Sequence, residues 1–481
     1  VSLKTTTVRN LGIVAGLQLF ISAMNAVTLI VLARLLTPFD FGIIGIAGFF
    51  LGFIGQFGDF GLGAAVIHRK DRVEESLQTG AMLRIIIGLI VFLVAFFSAP
   101  LASMIFSTPE ATDVVRILAV TILIGSFGFI PNNALAKRLE FGRLAIAAFV
   151  GMIVTSSVSI GLALAGFSYW AIVYGSVAAS VATLLTLYVI FPWKFTWKVD
   201  KQIAKELFRY GIHVFLMVLI VFLIFNLDNA AIGIVISVAA LGIYFIAYRW
   251  ASVFANFLTK MVNRVMFPTY SSIQEDEGRL RTGYLQTLDV ISFIGAPLYF
   301  GFFIVAPEFV VFVLGDKWTP AIIALQILCL FGFIRVILQP AGDLFLAKGK
   351  TKWLSITNAV NLVIMIVFLY PAVLWGGIEG VALLVFLIYF FHTIIIYWLT
   401  TKLLNIRFVD ITNTFADPLI ASLGMLIVVL VFKAFAGFSL GVFAASILIG
   451  FITYLVFIYA LSRKKILYYL REIMSMIRQR A

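Results

Sequence analysis

The chain has 481 residues, of which 63% are hydrophobic, 15% aromatic and only 12% charged, too little polar material for a separate soluble catalytic domain of ordinary size. Its 35 Lys and Arg outweigh 22 Asp and Glu to give a net charge of +13. These residues are dispersed over short connections beside apolar runs, which makes anionic membrane lipid the expected partner and not nucleic acid. The single cysteine, Cys329, excludes an intrachain disulfide and a Cys-rich metal site.

Apolar runs of about twenty residues, enough for a helix to cross ~30 Å of hydrocarbon, begin near Leu11, Phe39, Thr79, Val114, Leu144, Tyr169 and Tyr210. They continue from Ala239, Tyr284, Trp318, Leu354, Ile378, Pro418 and Leu440. The first carries Lys4 and Arg9 like the start of a signal peptide, but its apolar run reaches Leu32 without a small-residue cleavage site, so a retained span is expected. The predicted fold class is an all-α polytopic membrane protein with about fourteen transmembrane helices.

Of the 35 basic residues, 28 fall on the N-terminus, the even-numbered connections and the C-terminus. The odd connections hold Arg34, Arg116, Lys317 and Lys433, and Arg84, Arg249 and Arg335 lie inside spans. The positive-inside rule therefore predicts that both termini are cytoplasmic.

Displacing the chain on itself by 200 pairs residues 36–47 with 236–247, matching Gly42, Ile43, Ile46 and Ala47 identically. The displacement then drifts to about 210, where Arg116-Ile-Leu resembles Gln326-Ile-Leu and Leu144-Ala-Ile resembles Leu354-Ser-Ile. A duplicated six-helix unit is expected: one lobe over 1–190, a cytoplasmic amphipathic linker over 191–209 and a second lobe over 210–403. Helices thirteen and fourteen over 404–462 have no partner in the repeat, and a basic interfacial tail follows over 463–481.

Ionisable groups inside spans cost several kcal/mol unless paired or facing water, so each is a candidate site. Asp228 and Arg249 lie at similar depth on successive spans, which suits either a cavity cation held by a carboxylate or a permanent salt bridge. Asp59 lies close in depth to Gln18 and near Arg84, as a structural polar cluster or as a gate or ion-loading carboxylate. Arg335 stands two helical turns from Asp343, with Pro340 between them predicted to kink the helix. Asn25, Gln56, Asn226, Asn229 and Tyr244 offer polar surface, while Gly58, Gly61 and Gly63 allow close helix approach or a local break. His213 and His392 are isolated and no metal-ligand spacing occurs. Ala347-Lys-Gly-Lys-Thr lacks the upstream glycine of a phosphate loop.

Two segments of the first lobe, Leu32-Ala-Arg-Leu-Leu-Thr-Pro-Phe-Asp-Phe-Gly and Gly58-Asp-Phe-Gly-Leu-Gly-Ala-Ala-Val-Ile-His-Arg-Lys-Asp, resemble the first helical hairpin of the polysaccharide transporters. These are the Wzx-like oligosaccharide flippases of the multidrug/oligosaccharidyl-lipid/polysaccharide (MOP) exporter superfamily. In the second lobe Phe267-Pro-Thr-Tyr-Ser-Ser-Ile-Gln and Arg279-Leu-Arg-Thr-Gly-Tyr resemble the same family. The resemblance implies two pseudo-symmetric six-helix lobes around a central cavity, two extra C-terminal helices and alternating access. It implies a non-enzymatic, inner-membrane flippase that moves polyprenyl-diphosphate-linked oligosaccharide outward for surface polysaccharide assembly, without cofactor, with H+ or Na+ as candidate coupling ions; a monomer is expected because each lobe already has its partner. Arg249, Asp228, Arg335, Asn25, Asn229 and Tyr244 are then the expected cargo-facing residues, since Arg suits bidentate phosphate contact. Asp59, Arg84, Gln18 and Asp343 are the expected gate or ion-coupling residues. The rivals are a drug or metabolite exporter of the same superfamily, a flippase for lipid-linked peptidoglycan precursor, and a membrane glycan polymerase.

Overall fold

Backbone polar groups inside hydrocarbon must be satisfied within their own segment, so a chain this apolar has helices as its only local solution short of a closed barrel. A computed structural model describes the backbone of residues 3–69, 71–193, 196 and 199–478, with side chains for all of these except 3–15, 213, 260–265, 267–268 and 464–478. Among the described residues no strand occurs. The first nine helices are α1 (Leu3–Leu35), α2 (Pro38–Asp59), α3 (Leu62–His68), α4 (Val73–Phe106), α5 (Ala111–Phe127), α6 (Phe129–Lys137), α7 (Phe141–Leu164), α8 (Trp170–Ile190) and α9 (Lys201–Val235). They are followed by α10 (Val238–Ser272), α11 (Glu277–Glu308), α12 (Ile322–Ala347), α13 (Thr351–Leu404), α14 (Phe408–Ala436) and α15 (Leu440–Arg478).

Among the described residues, twelve helical segments are long and apolar enough to cross a membrane, and the pair α5 and α6, bent by 49°, makes a thirteenth if taken as one span. The 54-residue α13 leaves helical geometry at Gly376 and Gly377, the latter at φ 56°. Each arm is roughly 25 residues, or ~37 Å at 1.5 Å per residue, so it supplies two spans and brings the total to the predicted fourteen. Similarly α15 breaks at Ser462. The predicted interfacial role of the tail, and that of Lys194, Trp197 and Lys198 in the linker, rests on side chains outside the described residues.

Local chemistry explains the Thr-Pro-Phe-Asp-Phe-Gly segment. Thr37 caps α2, Pro38 opens its first turn, and Asp40 completes a capping box by accepting from the Thr37 backbone N–H at 2.7 Å. The other Asp40 oxygen accepts from the Ser168 hydroxyl and from the Tyr169 N–H at 3.2 Å, fastening the start of α2 to the α7–α8 connection. At its far end α2 stops at Asp59, because Phe60 and Gly61 adopt left-handed backbone at φ 44° and 66°.

The chain divides into two compact units, residues 1–245 with 369–378, and residues 246–368 with 379–481. In the first, α7 packs on α8 and α1, α4 on α5, and α9 on α2, α3 and α4. Phe215 of α9 stacks on Phe60 with ring centroids 4.8 Å apart. In the second, α11 packs on α12, α14 and α15, over a core that includes Tyr270, Leu280, Tyr284, Leu344, Phe345 and Tyr397. A buried ion pair fastens α14 there: Lys433 Nζ lies 2.6 Å from Glu308, which is 1% exposed, and donates at 2.8 Å to the Ile304 carbonyl.

Candidate functional site

The part of α10 that can span a membrane runs over Val238–Thr259, and from Ile246 onward it belongs to the second unit. Arg249 sits near its middle, about 16 Å from the start, and its side chain is exposed. A guanidinium at that depth is tolerated only where it meets water, protein or a charged ligand. Two turns further along, exposed Asn256 accepts at 3.3 Å from the Arg335 guanidinium of α12. Tyr248 and Phe331, with ring centroids 6.0 Å apart, hold these two helices side by side. Asn256 was missed in the sequence, although its seven-residue spacing from Arg249 places both on one helical face.

A different face of α10 carries Phe254, which helps to line an apolar cavity of about 450 Å³ with Pro297 and Gly301 of α11, Met425 of α14, and Gly450 and Tyr454 of α15. Almost every lining atom is carbon, so the cavity suits a hydrocarbon chain and offers nothing to a sugar. One helix therefore carries mid-membrane cationic and amide groups and also walls a greasy recess.

The first unit gathers two of the predicted clusters. Asp228, 1% exposed, accepts from the Tyr244 hydroxyl at 2.8 Å and from the backbone and side chain of Asn229 at 2.8 and 3.0 Å. Tyr244 and Asn229 are buried with it, so the three form an internal network that satisfies the Asp228 carboxylate and leaves Asn229 Oδ1 without a partner. Asp59 lies 4.0 Å from Arg84. The firmer contact of Arg84 is the donation from its guanidinium to the Gly58 carbonyl, one of the acceptors freed where α2 ends. Arg84 thus caps a broken helix, and both uses expected of the glycines occur, a break at Gly61 and a close approach at Gly58. Gln18 is half-buried and Asn25 exposed on α1; among the described residues neither joins these clusters. Asp343, in the second unit, is buried at 3% exposure on α12, one turn from Gln339.

Both ends of α2 close on its neighbours through glycine. At the Thr37 end, a Cβ on Gly42 would overlap the Val238 carbonyl, and one on Gly242 would overlap the Pro38 carbonyl. At the Asp59 end, a Cβ on Gly211 of α9 would overlap the Phe60 carbonyl, and one on Gly61 would stand 2.8 Å from the Gly211 oxygen. Gly42 and Gly242 are the residues that the 200-residue displacement equates, and a Cβ on Gly242 would stand 2.8 Å from the Gly42 nitrogen.

Charged groups latch the α3–α4 turn to the start of α9. Arg69 donates to Glu206 at 2.7 Å, and Arg72 donates to Asp200, the N-cap of α9, at 2.6 Å. The Ile203 N–H and Arg72 hold the Asp200 carboxyl below the usual range, while Asp200 and Glu75 raise Arg72.

A family model described as polysaccharide biosynthesis protein matches residues 31–323. The lipopolysaccharide biosynthesis protein WzxC of Escherichia coli K12 is 26% identical over 415 residues, covering 83% of this chain and 82% of that protein. Among solved structures, the lipid II flippase MurJ superposes with a TM-score of 0.79 at 15% identity, covering 94% of this chain and 99% of MurJ. A multidrug resistance MATE transporter of the MOP superfamily follows at 0.65 and 18%, covering 81% and 98%. At those identities the two structures show a shared fold. The family match over residues 31–323 makes this multi-pass membrane protein a member of the polysaccharide biosynthesis protein family.

Proposed function

We propose that the chain is a flippase that moves polyprenyl-diphosphate-linked oligosaccharide across a bacterial inner membrane by alternating access of its duplicated halves, with both termini in the cytoplasm. The observation that carries this reading is the exposed Arg249 in mid-span on the same helix that walls the apolar cavity. A cargo with a diphosphate between a glycan and a polyprenyl tail needs a cation deep in the membrane beside a place for hydrocarbon. Here Arg249 contacts the diphosphate, the Asn256-paired Arg335 stands on the neighbouring helix as a second cation, and the tail occupies the Phe254 cavity.

The relatives support the cargo class, since WzxC is named for lipopolysaccharide biosynthesis, and the duty is transport without bond making. Binding of fluorescent polyprenyl-diphosphate oligosaccharide to protein in nanodiscs tests the reading. Arg249→Ala weakens binding at least tenfold and Arg249→Lys less, while polyprenol without phosphate binds both variants like wild type. Equal diphosphate affinity in wild type and Arg249→Ala would remove Arg249 from the site.

A further inference from the structure

The transport reading leaves one cavity of the first unit unused. It holds about 820 Å³ between the start of α4, the end of α6 and the segment that follows α8. Glu74 and Gln78 of α4, Lys137 and Arg138 at the end of α6, and Phe191 and Trp193 beyond α8 form much of its wall. With both termini in the cytoplasm, these helix ends lie at the headgroup level of the cytoplasmic leaflet.

Lys137 is already engaged. Its Nζ donates to the Val66 carbonyl at 3.0 Å and to those of Ile67 and Arg69, at the C-terminal end of α3, whose carbonyls also offset its charge. The Arg138 guanidinium lies over the Phe191 ring, 5.2 Å from its centroid, which leaves its N–H edge open. Glu74 is exposed in the first turn of α4. Among the described residues, neither the Arg138 nor the Glu74 side chain has a hydrogen-bond or ion-pair partner, although both line this one cavity. The Trp193 indole stacks on Tyr188 with ring centroids 3.6 Å apart, and its buried N–H is likewise without a partner among the described residues.

A cation and a carboxylate that share a cavity without pairing are matched by a ligand that carries both charges. We propose that this cavity binds the phosphoethanolamine headgroup of a membrane glycerophospholipid, its phosphate taken by Arg138 and the Trp193 N–H and its ammonium by Glu74. A glycerol headgroup would leave Glu74 unmatched, and a choline headgroup has no N–H to donate to it. Hydrocarbon has a place beside the headgroup: Leu139, next to Arg138, is 74% exposed, and Val189, two residues before Phe191, is 80% exposed. That makes a lipid, and not a free phosphoethanolamine compound, the occupant. The segment that carries Trp193 is already fastened to α4, through the Thr196 N–H on Gln78 and the Asp200 N–H on the Thr79 hydroxyl, both at 3.2 Å. A bound headgroup ties the same segment to Arg138 at the end of α6. The site stands independently of the transport reading.

The test is native mass spectrometry of the full-length protein in detergent, titrated with dioleoyl-phosphatidylethanolamine and with the choline and glycerol lipids of the same chains. A fourth titrant, glycerophosphoethanolamine, has the headgroup without the chains. Wild type should bind the ethanolamine lipid at least tenfold more tightly than any of the other three. Arg138→Ala should lower that affinity at least tenfold, and Trp193→Phe, which keeps a ring on Tyr188 and removes the N–H, at least threefold. Glu74→Gln should abolish the preference for ethanolamine over choline and leave the choline lipid's affinity within twofold of wild type, a change in selectivity that loss of structure would not produce. Glu74 and Arg138 are both exposed, so these variants should unfold at the wild-type temperature. Equal affinity for the three lipids, as two separately hydrated charges would give, or tighter binding of the glycerol lipid, would overturn the proposal. So would an ethanolamine preference that survives both Glu74→Gln and Arg138→Ala, and glycerophosphoethanolamine binding as tight as the lipid's would replace the lipid by a soluble ligand. A protein that flips saccharide lipid without this preference overturns this inference alone, and the preference in a protein that flips nothing leaves it standing.

Discussion

Replacing Gly242 by alanine places a methyl group against the backbone that starts α2. Beyond its overlap with the Pro38 carbonyl, the new Cβ would stand 2.8 Å from the Gly42 nitrogen, where ordinary contact begins at 3.4 Å. No side chain can swing away to relieve this, because the obstructing atoms are backbone held by the Thr37 cap and by Asp40. The helices must part, at about 1–3 kcal/mol for overpacking, which disfavours the arrangement in which α2 touches α10 by roughly 5- to 150-fold.

Ala47, 0% exposed on α2, reports the change when replaced by cysteine in a Cys329→Ala background. Labelling with a membrane-impermeant maleimide in nanodiscs should be at least fivefold faster with Gly242→Ala than without it. Gly48→Ala, at a position where a Cβ meets nothing within 4 Å, should leave the rate unchanged. Equal labelling in all three proteins would show that the glycine contact does not hold the Thr37 end of α2 shut.

Other perturbations follow from the same geometry. Lys433→Met leaves Glu308 buried and unpaired and should cost about 3–5 kcal/mol in thermal unfolding, whereas Lys433→Met with Glu308→Gln should recover most of the loss; no recovery would contradict the ion pair. Arg84→Ala, which uncaps the Gly58 carbonyl, should destabilise by about 1–3 kcal/mol, and Asp59→Asn, whose side chain is 53% exposed and 4.0 Å away, by under about 1 kcal/mol. The reverse order, by the same unfolding measurement, would make Asp59 the dominant partner. The folded Asp200 carboxyl titrates below its unfolded value, so the latch contributes in full above that value and is lost as pH falls through the lower, folded one. Limited proteolysis of the 191–209 segment should therefore be constant from about pH 8 to pH 5 and faster at high salt, and in Arg72→Ala it should be fast at low salt too.

The spans were legible because hydrocarbon imposes one long apolar run per crossing, and even the join inside α13 showed as two runs meeting at the Gly376–Gly377 pair. The family marks were legible as words, but their physics needed coordinates. Asp40 reads as a first-turn acid, and nothing in the sequence announces Ser168 and Tyr169 as its partners, 128 and 129 residues away. Depth along a helix brought Asp59 to Arg84 correctly, since both lie near the same ends of neighbouring spans. Depth alone does not give azimuth, so the partners that Asp228 takes up, Tyr244 and Asn229, were marked as polar surface and not as its ligands. Asn256 escaped although other span amides such as Asn226 and Asn229 were marked, because its partner Arg335 lies on another helix, 79 residues away.

The central claim is transport of a saccharide lipid through a site that contains Arg249. Leaflet-resolved movement of fluorescent polyprenyl-diphosphate oligosaccharide in liposomes, with a nonsaccharide cationic dye as competing cargo, measures it most directly. Wild type should move the saccharide lipid and not the dye, and Arg249→Ala, folded and inserted normally, should slow that movement at least tenfold. Movement of the dye alone, or saccharide-lipid movement at the wild-type rate in Arg249→Ala, would contradict the account.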